Sequence, residues 1–381
     1  MSILAICFAL LALAGCGQAL AARRALRRLA ARPAPAAPSL AASILKPLHG
    51  ADPALAANLA ATLGQRHAAP FEVLCAVADP ADPARPIAEA ALAASATPSR
   101  LLVGGAVVGP NRKVSQLIHL AEAARHPVLV IADADMACPP HWLTAVIAPL
   151  ADPDCGLVTC LYRGVAGDPS PWSRLAALGV DWHFLPNAAL GEALGRAQGC
   201  YGATMALRAE TLERIGGFAP LLDVLADDHA LGMAVRGLGL RVEVSPVLPG
   251  HVMAEPGLAA LWTHELRWAR TVRLLNPRGF LGLGLTHPLP WALLALLCAP
   301  GWATLAVLGL ALAARLALAR GVDGATGAAG GWRLLWLPIR DLLSAAIWAT
   351  AFRHGAVAWQ GRRYALTTAG RMSDAAPPRG S

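Results

Sequence analysis

Three pairs of aspartates border apolar runs in a chain that carries few charges: Asp79 with Asp82, Asp133 with Asp135, and Asp227 with Asp228. An Asp-x-Asp at the end of a strand supplies hard oxygen ligands for a divalent cation, and the cation in turn binds a diphosphate. The same pattern also occurs in ordinary turns and helix N-caps. The strand-like run VLVIA directly before DAD at 133–135 favours the metal site.

The adjacent pair Asp227 and Asp228 precedes the run HALGMAVRG. Two neighbouring carboxylates repel each other, and this repulsion raises the pKa of one of them toward the range of a useful general base. Such a base removes the proton from an attacking hydroxyl group. The pair would also cap a helix that starts near His229, and the two roles are compatible.

The composition indicates a membrane protein. Of 381 residues, 56% are hydrophobic and only 15% are charged, which is below the usual charged share of a soluble domain. The net charge of +8 comes almost wholly from arginine, since Lys46 and Lys113 are the only lysines. The arginines are spread along the chain without a basic helix or an aromatic-basic platform, which argues against nucleic acid as a partner. The eight cysteines form no CxxC pair, and we expect reduced thiols.

Apolar segments at both ends predict membrane helices. Residues 1–22 predict a transmembrane anchor, since about 20 apolar residues span a bilayer. Residues 23–40, basic and then rich in proline, predict a linker. The arginines that follow the anchor place the N-terminus outside and the next part of the chain in the cytoplasm. Residues 281–352 predict C-terminal membrane segments at 289–298, 302–319 and 334–352.

The last of these segments contains Arg340 and Asp341. An ion pair in lipid is expensive, so the sequence leaves open whether 334–352 crosses the membrane or is re-entrant. The basic tail 353–381 is predicted in the cytoplasm. With the N-terminus outside, that requires an odd number of spans, and three fits.

Between these ends, residues 41–250 alternate short β-type runs with helical stretches, which predicts βαβ units and a mostly parallel sheet. Sheets of this kind bind ligands at the carboxyl ends of their strands. The region has neither a GxGxxG nor a GxxxxGK[ST] sequence, so it lacks both the dinucleotide-binding and the P-loop signature. Residues 251–280 mix apolar residues with arginines, as expected of a helix lying in the membrane interface.

A set of motifs occurs in a recognisable order between residues 43 and 271: SILKPLHG, DPADPA, NRKVSQL, IADADM, GATMALR, ADDHALG and HELRW. This ordered set resembles the GT-A inverting glycosyltransferases of the ceramide glucosyltransferase type. The runs VTCLYRG, LADD and ELRWART are most similar to the bacterial hopanoid-biosynthesis branch of those enzymes. The resemblance implies a GT-A catalytic domain over 41–250 with transmembrane helices on both sides.

The resemblance also implies roles for individual residues on the donor side. Asp82, with Asp79 as a second candidate, would contact the nucleotide base. Asn111 and Lys113 match an Asn-x-Lys near the nucleoside. Asp133 and Asp135 would form the metal and diphosphate site, with Mg²⁺ or Mn²⁺ as the cation.

On the acceptor side, Asp228 falls on the general base, and Asp227 takes the place of a neighbouring acidic residue. Arg267 and Trp268 match the RW of a (Q/R)xxRW motif. His264 stands where the family has Gln or Arg. His264 and Asp227 are candidate substrate contacts.

The activity implied is an inverting hexosyl transfer, in which N-acetylglucosamine moves from a UDP-sugar to a membrane lipid alcohol, a hopanoid such as bacteriohopanetetrol. The implied location is the bacterial inner membrane, with several spans and the catalytic domain in the cytoplasm. Two alternatives stay open, transfer of glucose to ceramide and a lipid-binding membrane protein without activity. A processive polysaccharide synthase would need a longer membrane channel. The sequence does not indicate the oligomeric state.

Overall fold

The structure is a computed structural model that describes residues 2–33, 39–197, 200–328, 331–353, 357–359, 362–366 and 370–374. The proline-rich part of the predicted linker at 34–38, and most of the predicted tail, lie outside the described residues. The chain forms two compact units. The helical unit comprises 1–31, 169–196 and 255–369, and the sheet unit comprises 32–168, 197–254 and 370–381.

The elements are numbered in chain order. The helices are α1 Ile3–Ala30, α2 Leu55–Leu63, α3 Ala84–Ala93, α4 Arg112–Ala123, α5 Trp142–Ile147, α6 Pro171–Gly179, α7 Leu185–Ala193, α8 Ala209–Arg214, α9 Asp227–Gly237, α10 Leu258–Leu275, α11 Pro277–Gly282, α12 Pro288–Cys298, α13 Trp302–Thr326 and α14 Leu337–Thr350. The strands are β1 Ala42–Leu48, β2 Phe71–Val77, β3 Ser99–Val103, β4 Val128–Ala132, β5 Met136–Ala137, β6 Cys155–Cys160, β7 Arg163–Ala166, β8 Thr204–Arg208, β9 Arg241–Ser245, β10 Gly250–Met253, β11 Val357–Trp359, β12 Arg362–Leu366 and β13 Met372–Asp374.

A seven-stranded sheet with the order β3-β2-β1-β4-β8-β6-β9 forms the centre of the sheet unit. Strands β3, β2, β1 and β4 run parallel, as the alternation of strands and helices predicts. Strand β8 runs antiparallel to both β4 and β6. The sheet is therefore mixed, and its reversed strand brings residues 200–203 next to the carboxyl end of β4.

Both faces of the sheet's central strands are buried, and β4 is accordingly apolar throughout. Successive residues of a strand point to opposite faces, and Ile44 and Leu45 accordingly belong to different cores. Helices α2, α3 and α5 cover the core of Ile44, and helices α4, α8 and α9 cover the core of Leu45. A smaller sheet, β5-β10-β7, lies beyond the end of β4.

In the helical unit, α1 packs against α7, α12 and α13 through a row of small residues: Ala5, Ala9, Ala12, Gly15, Ala19 and Ala22. Small side chains let helix backbones approach closely. At Gly15 the approach is tightest, since an added Cβ would lie 2.5 Å from the carbonyl oxygen of Leu285. Helix α1 ends at Ala30, beyond the predicted anchor 1–22, and includes the arginines that follow it.

Among the described residues, two helices are long and apolar enough to cross a membrane, α1 and α13. The count becomes three if 277–286 and α12, which meet at a bend of 66°, form one broken span. The predicted segment 289–298 corresponds to α12, and 302–319 lies within α13. The predicted segment 334–352 contains α14, whose 14 residues are fewer than the roughly 20 that a straight span needs.

The predicted domain 41–250 is interrupted in the structure, because residues 169–196 belong to the helical unit. The physical reason lies in the π-helical turn Val180–Phe184, whose polar side chains bond to the C-terminal helices. Asp181 pairs with Arg333, the indole nitrogen of Trp182 donates to Asp323, and His183 bonds Asp341.

Candidate active site

The first part of the site lies at the carboxyl end of β4, where Asp133 follows the strand. Its carboxylate lies 2.6 Å from Nζ of Lys113, on the first turn of α4. The same Nζ lies 3.6 Å from Oδ2 of Asp227. The buried Lys46, inside β1, donates to the backbone carbonyl of Asp133 at 2.9 Å. Two lysines thus hold Asp133 in place, one through its side chain and one through its backbone.

Asp133 and Asp227 keep the side chain of Lys113 protonated. Burial alone would lower the pKa of Lys113, but Asp133 and Asp227 outweigh burial and raise the pKa above its ordinary value. The side chain of Lys113 is 15% exposed, so its ion pairs are little screened by solvent. Lys113 therefore remains a cation among the carboxylates, at a position where a diphosphate could also be bound.

Asp227 and Asp228 are the first two residues of α9. Burial raises the pKa of Asp228, and the neighbouring charge of Asp227 raises it further, while Lys113 lowers it; the result is a pKa of about 6. Oδ1 of Asp228 accepts a hydrogen bond of 2.7 Å from the backbone nitrogen of His229. The predicted cap of a helix that starts near His229 is wrong, because α9 already begins at Asp227 with Ala226 as its N-cap. The role of Asp228 as a general base remains a prediction.

Gly202 leaves space for the Asp228 carboxylate. A Cβ at this position would lie 2.9 Å from Oδ2 of Asp228 and 3.1 Å from its Cβ. The thiol of Cys200 donates to the backbone carbonyl of Asp228 at 2.8 Å. The turn 200–203 therefore determines the position of Asp228.

Asp135 lies beside His251, a residue that the sequence did not single out as a ligand. Nε2 of His251 is 3.0 Å from Oδ2 of Asp135. His251 is on β10, which pairs with β5 immediately after Asp135, and its ring packs edge-on against Tyr162 with centroids 5.1 Å apart. Burial lowers the pKa of His251, but Asp135 outweighs it and raises the pKa above its ordinary value.

The carboxylates of Asp133 and Asp135 fit a divalent cation by their chemistry, because carboxylate oxygens suit Mg²⁺ and Mn²⁺. Asp133 faces Lys113 and Asp135 faces His251. Across the described part of the chain, no group of three or more His, Cys, Asp or Glu side chains is gathered into a preformed cation site.

Asp82 lies at the start of α3, and its carboxylate accepts hydrogen bonds from the backbone nitrogens of Gly50 and Ala84, each at 2.9 Å. It also lies 2.9 Å from Nδ1 of His49. Burial opposes ionisation, but these bonds outweigh it and lower the pKa of Asp82. Asp79 is exposed, and its carboxylate bonds the backbone nitrogen of Ala81. Contact of either residue with a nucleotide base remains a prediction.

Asn111 caps α4 and anchors the segment that leads to Asp227. Its side-chain oxygen accepts from the nitrogen of Val114 at 3.1 Å, and its side-chain nitrogen donates to the carbonyl of Val224 at 2.8 Å. The side chain has no exposed surface. On its other side, segment 223–225 bonds the C-terminal residues Gly370 and Met372. The predicted contact of Asn111 with the nucleoside remains a prediction, and in the structure its role is to hold this segment.

His264, Arg267 and Trp268 are on α10, in the helical unit. Nδ1 of His264 is 2.7 Å from Oε1 of Glu255, and its ring meets Trp268 edge-on with centroids 4.4 Å apart. The carboxylates of the sheet unit are thus brought together with Lys113, whereas the HxxRW residues group with one another. Their predicted contacts with the diphosphate and the acceptor remain predictions.

The family follows from a match over nearly the whole chain. The model of glycosyl transferase family 21 matches residues 7–372, and the chain belongs to that family. It is a glycosyltransferase, as the ordered motifs predicted. Its placement in the hopanoid branch remains a prediction.

The chain is similar to several solved structures, and the first of those that follow supports the fold. A mannosyltransferase from Pyrobaculum calidifontis, in complex with GDP-mannose and Mn²⁺, aligns over 92% of this chain and 97% of its own at 19% identity with a TM-score of 0.50. Residues 1–349 of TarS from S. aureus align over 85% of this chain and 96% of their own, at 14% identity and a TM-score of 0.38. Glucosyl-3-phosphoglycerate synthase from Mycobacterium tuberculosis, with Mn²⁺, uridine-diphosphate-glucose and phosphoglyceric acid, aligns over 61% and 79% at 16% identity and a TM-score of 0.39. The predicted GT-A fold is confirmed.

The space at Gly202 gives a first test of the site. We expect Gly202→Ala to lower the rate of sugar transfer by about 10-fold or more, because its Cβ displaces the carboxylate of Asp228, the predicted base, and small misplacements of a catalytic group are costly. Gly237→Ala is the matched control, since Gly237 ends the same helix α9 and a Cβ there meets no atom within 4 Å. Equal rates for the two folded variants would contradict this account of Gly202.

Proposed function

We propose that this glycosyltransferase moves N-acetylglucosamine from its UDP-sugar to the hydroxyl group of a membrane lipid, a hopanoid polyol, with inversion at the sugar carbon. The observation that supports this best is Asp228, a partly buried carboxylate with a raised pKa beside Lys113 and Asp133. An inverting transfer to an alcohol requires one such base. The identities of sugar and lipid rest on the resemblance of the ordered motifs.

In the proposed mechanism, Asp228 accepts the proton of the acceptor hydroxyl while the oxygen attacks the sugar carbon. The bond from that carbon to the diphosphate breaks in the same in-line displacement, and UDP leaves. Asp227 keeps the pKa of Asp228 high, so that the carboxylate holds the proton it takes. Lys113 offsets the negative charge of Asp133 and Asp227 and stabilises charge on the leaving diphosphate.

A divalent cation, Mg²⁺ or Mn²⁺, would be held by Asp133 and Asp135, and when bound it would supply positive charge to the diphosphate. His251 orients Asp135 through their 3.0 Å contact. The bond from Asn58 to the carbonyl of Ala134, at 3.1 Å, fixes the backbone between the two aspartates. These contacts restrain the side chain of Asp135 and the backbone that precedes it.

Arg267 and Trp268 are proposed to act at the diphosphate and at the lipid entrance, respectively. The helix that carries them has arginines at 270 and 273 among apolar residues, which suits the membrane interface. Helices α1 and α13 are proposed to cross the bacterial inner membrane. The arginines on the last turns of α1 favour a cytoplasmic position for the sheet unit.

The proposed reaction is tested with the purified protein in vesicles that contain bacteriohopanetetrol, supplied with isotopically labelled UDP-N-acetylglucosamine. We expect labelled glycolipid by mass spectrometry, and a loss of about 10²- to 10⁴-fold in rate for Asp228→Asn, because that variant cannot accept the proton. Vesicles with ceramide and labelled UDP-glucose form a parallel arm. Product only in that arm would replace the proposed substrates. A folded Asp228→Asn protein at the normal rate would remove Asp228 from the mechanism.

The raised pKa of Asp228 predicts the pH dependence. The carboxylate must be ionised to act, so the transfer rate is expected to rise as the pH rises through about 6 and to level off above it. In Asp227→Asn the neighbouring charge is gone, which lowers the pKa of Asp228 and moves the midpoint to lower pH. The measurement is kcat against pH for both proteins, and coincident profiles would show that Asp227 does not tune the base.

Removal of the cation tests the metal site. After stripping with EDTA and dialysis we expect transfer to stop and to return with Mn²⁺ or Mg²⁺. His251→Gln is expected to weaken Mn²⁺ binding by about 10- to 100-fold, as measured directly by electron paramagnetic resonance titration. His141→Gln, at an exposed position in the same unit, is the control. Full transfer in EDTA would show that the cation is dispensable.

A further inference from the structure

The charged residues Arg340 and Asp341 are adjacent on α14, and both are fully buried in the helical unit. Charges in apolar surroundings are costly unless each is paired and hydrogen-bonded. The two side chains meet different elements, so α14 connects parts of the unit that are far apart in sequence.

Asp341 fixes α14 to α13 and to the π-helical turn. Arg315 on α13 donates to both oxygens of Asp341, each at 2.7 Å, and His183 lies 3.0 Å from Oδ1. Arg315 also donates to the carbonyl of Trp182 at 3.2 Å. All these groups are buried or nearly so, which gives α14 a defined position.

Arg340 continues this connection to α10. Its guanidinium donates to Oε1 and Oε2 of Glu265 at 2.8 and 2.7 Å, a two-point ion pair. It also donates to the carbonyl of Leu175 on α6 at 3.0 Å and to the hydroxyl of Ser344. Planar two-point pairs of this kind fix direction as well as distance.

Glu265 lies inside the HxxRW segment, between His264 and Arg267. We propose that Glu265 is a positioning residue, whose ion pair with Arg340 sets the rotation of α10 and therefore the directions of Arg267 and Trp268. The inference rests on the proposed roles of those two residues. His264 adds a second restraint on the same helix through its 2.7 Å contact with Glu255.

The size of the effect follows from helix geometry. Successive residues of a helix are rotated by about 100°, so the side chains of Glu265 and Arg267 lie about 200° apart around the axis of α10. Holding Glu265 in one direction therefore fixes the direction of Arg267 on the other face. A rotation of about 10° moves an atom about 6 Å from the axis by about 1 Å. A misplacement of about 1 Å can cost 100-fold in rate. A single ion pair on the opposite face of the helix can therefore control the chemistry.

The competing interpretation is that the pair only stabilises the fold. Removing one partner of a buried pair is strongly destabilising, whereas replacing both by uncharged groups of similar size is often neutral or better. The double variant Glu265→Gln/Arg340→Met consequently separates the two interpretations, because it removes the rotational restraint without leaving a buried charge.

The experiment compares Glu265→Gln, the double variant and the full-length wild type, all labelled with 5-fluorotryptophan. The fluorine resonance of Trp268 is assigned by its loss in Trp268→Phe. We expect this resonance to shift in both variants, and kcat for transfer to fall by about 10- to 100-fold while the donor KM changes by less than about threefold. Asp323→Asn, which removes a partner of Arg333 in the same unit, is the control and should leave both kcat and the Trp268 resonance unchanged.

A double variant with the wild-type kcat and an unshifted Trp268 resonance would overturn the proposal, even if Glu265→Gln alone were unfolded. A wild-type protein that transfers no sugar to any lipid offered would contradict the proposed function. The Trp268 resonance would in that case still decide whether Glu265 fixes the helix.

Discussion

The site depends on the positive charge of Lys113, whose side chain lies among carboxylates. Lys113 contacts Asp133, which follows β4, and Asp227, which begins α9, so it links residues from distant parts of the chain. Without its charge, the carboxylates of Asp133 and Asp227 would repel each other with no cation between them. Burial raises the pKa of Asp228 most and Asp227 raises it further, and Lys113 offsets only part of this rise. The position of Lys113 therefore affects both the arrangement of these carboxylates and the pKa of Asp228.

Only part of the candidate site could be predicted from the sequence. Asp133 follows a buried strand and Asp227 starts a helix, and in a parallel sheet such positions meet at one edge, so their proximity is predictable. His251 is 116 residues from Asp135 and has no characteristic spacing to it, and only the pairing of β10 with β5 brings them together. The antiparallel direction of β8 could not be predicted from the sequence either. A strand that is buried on both faces is a continuous apolar run, and such a run does not indicate whether the strand is parallel or antiparallel to its neighbours.

In the helical unit, the partners of the buried charges could not be predicted from the sequence, for a different reason. The cost of a charge in apolar surroundings indicates that Arg340 and Asp341 need partners, but it does not say which residues those are. The partners come from α6, α10, α13 and the π-helical turn Val180–Phe184. The same bonds connect residues 169–196 to the rest of the helical unit.

The two units use buried charge for different purposes. In the sheet unit the positive charges do not fully offset the negative charges of four aspartates, Asp133, Asp135, Asp227 and Asp228. This excess of negative charge favours both the binding of a metal cation and the acceptance of a proton. In the helical unit each buried arginine meets a carboxylate at hydrogen-bond distance, which favours rigidity. The proposed reaction needs both properties, since the proposed base must change protonation state while the helix that carries Arg267 stays still. The bond between Glu265 and Arg340 matters for this reason, because it joins the rigid network to the helix that bears the proposed diphosphate contact.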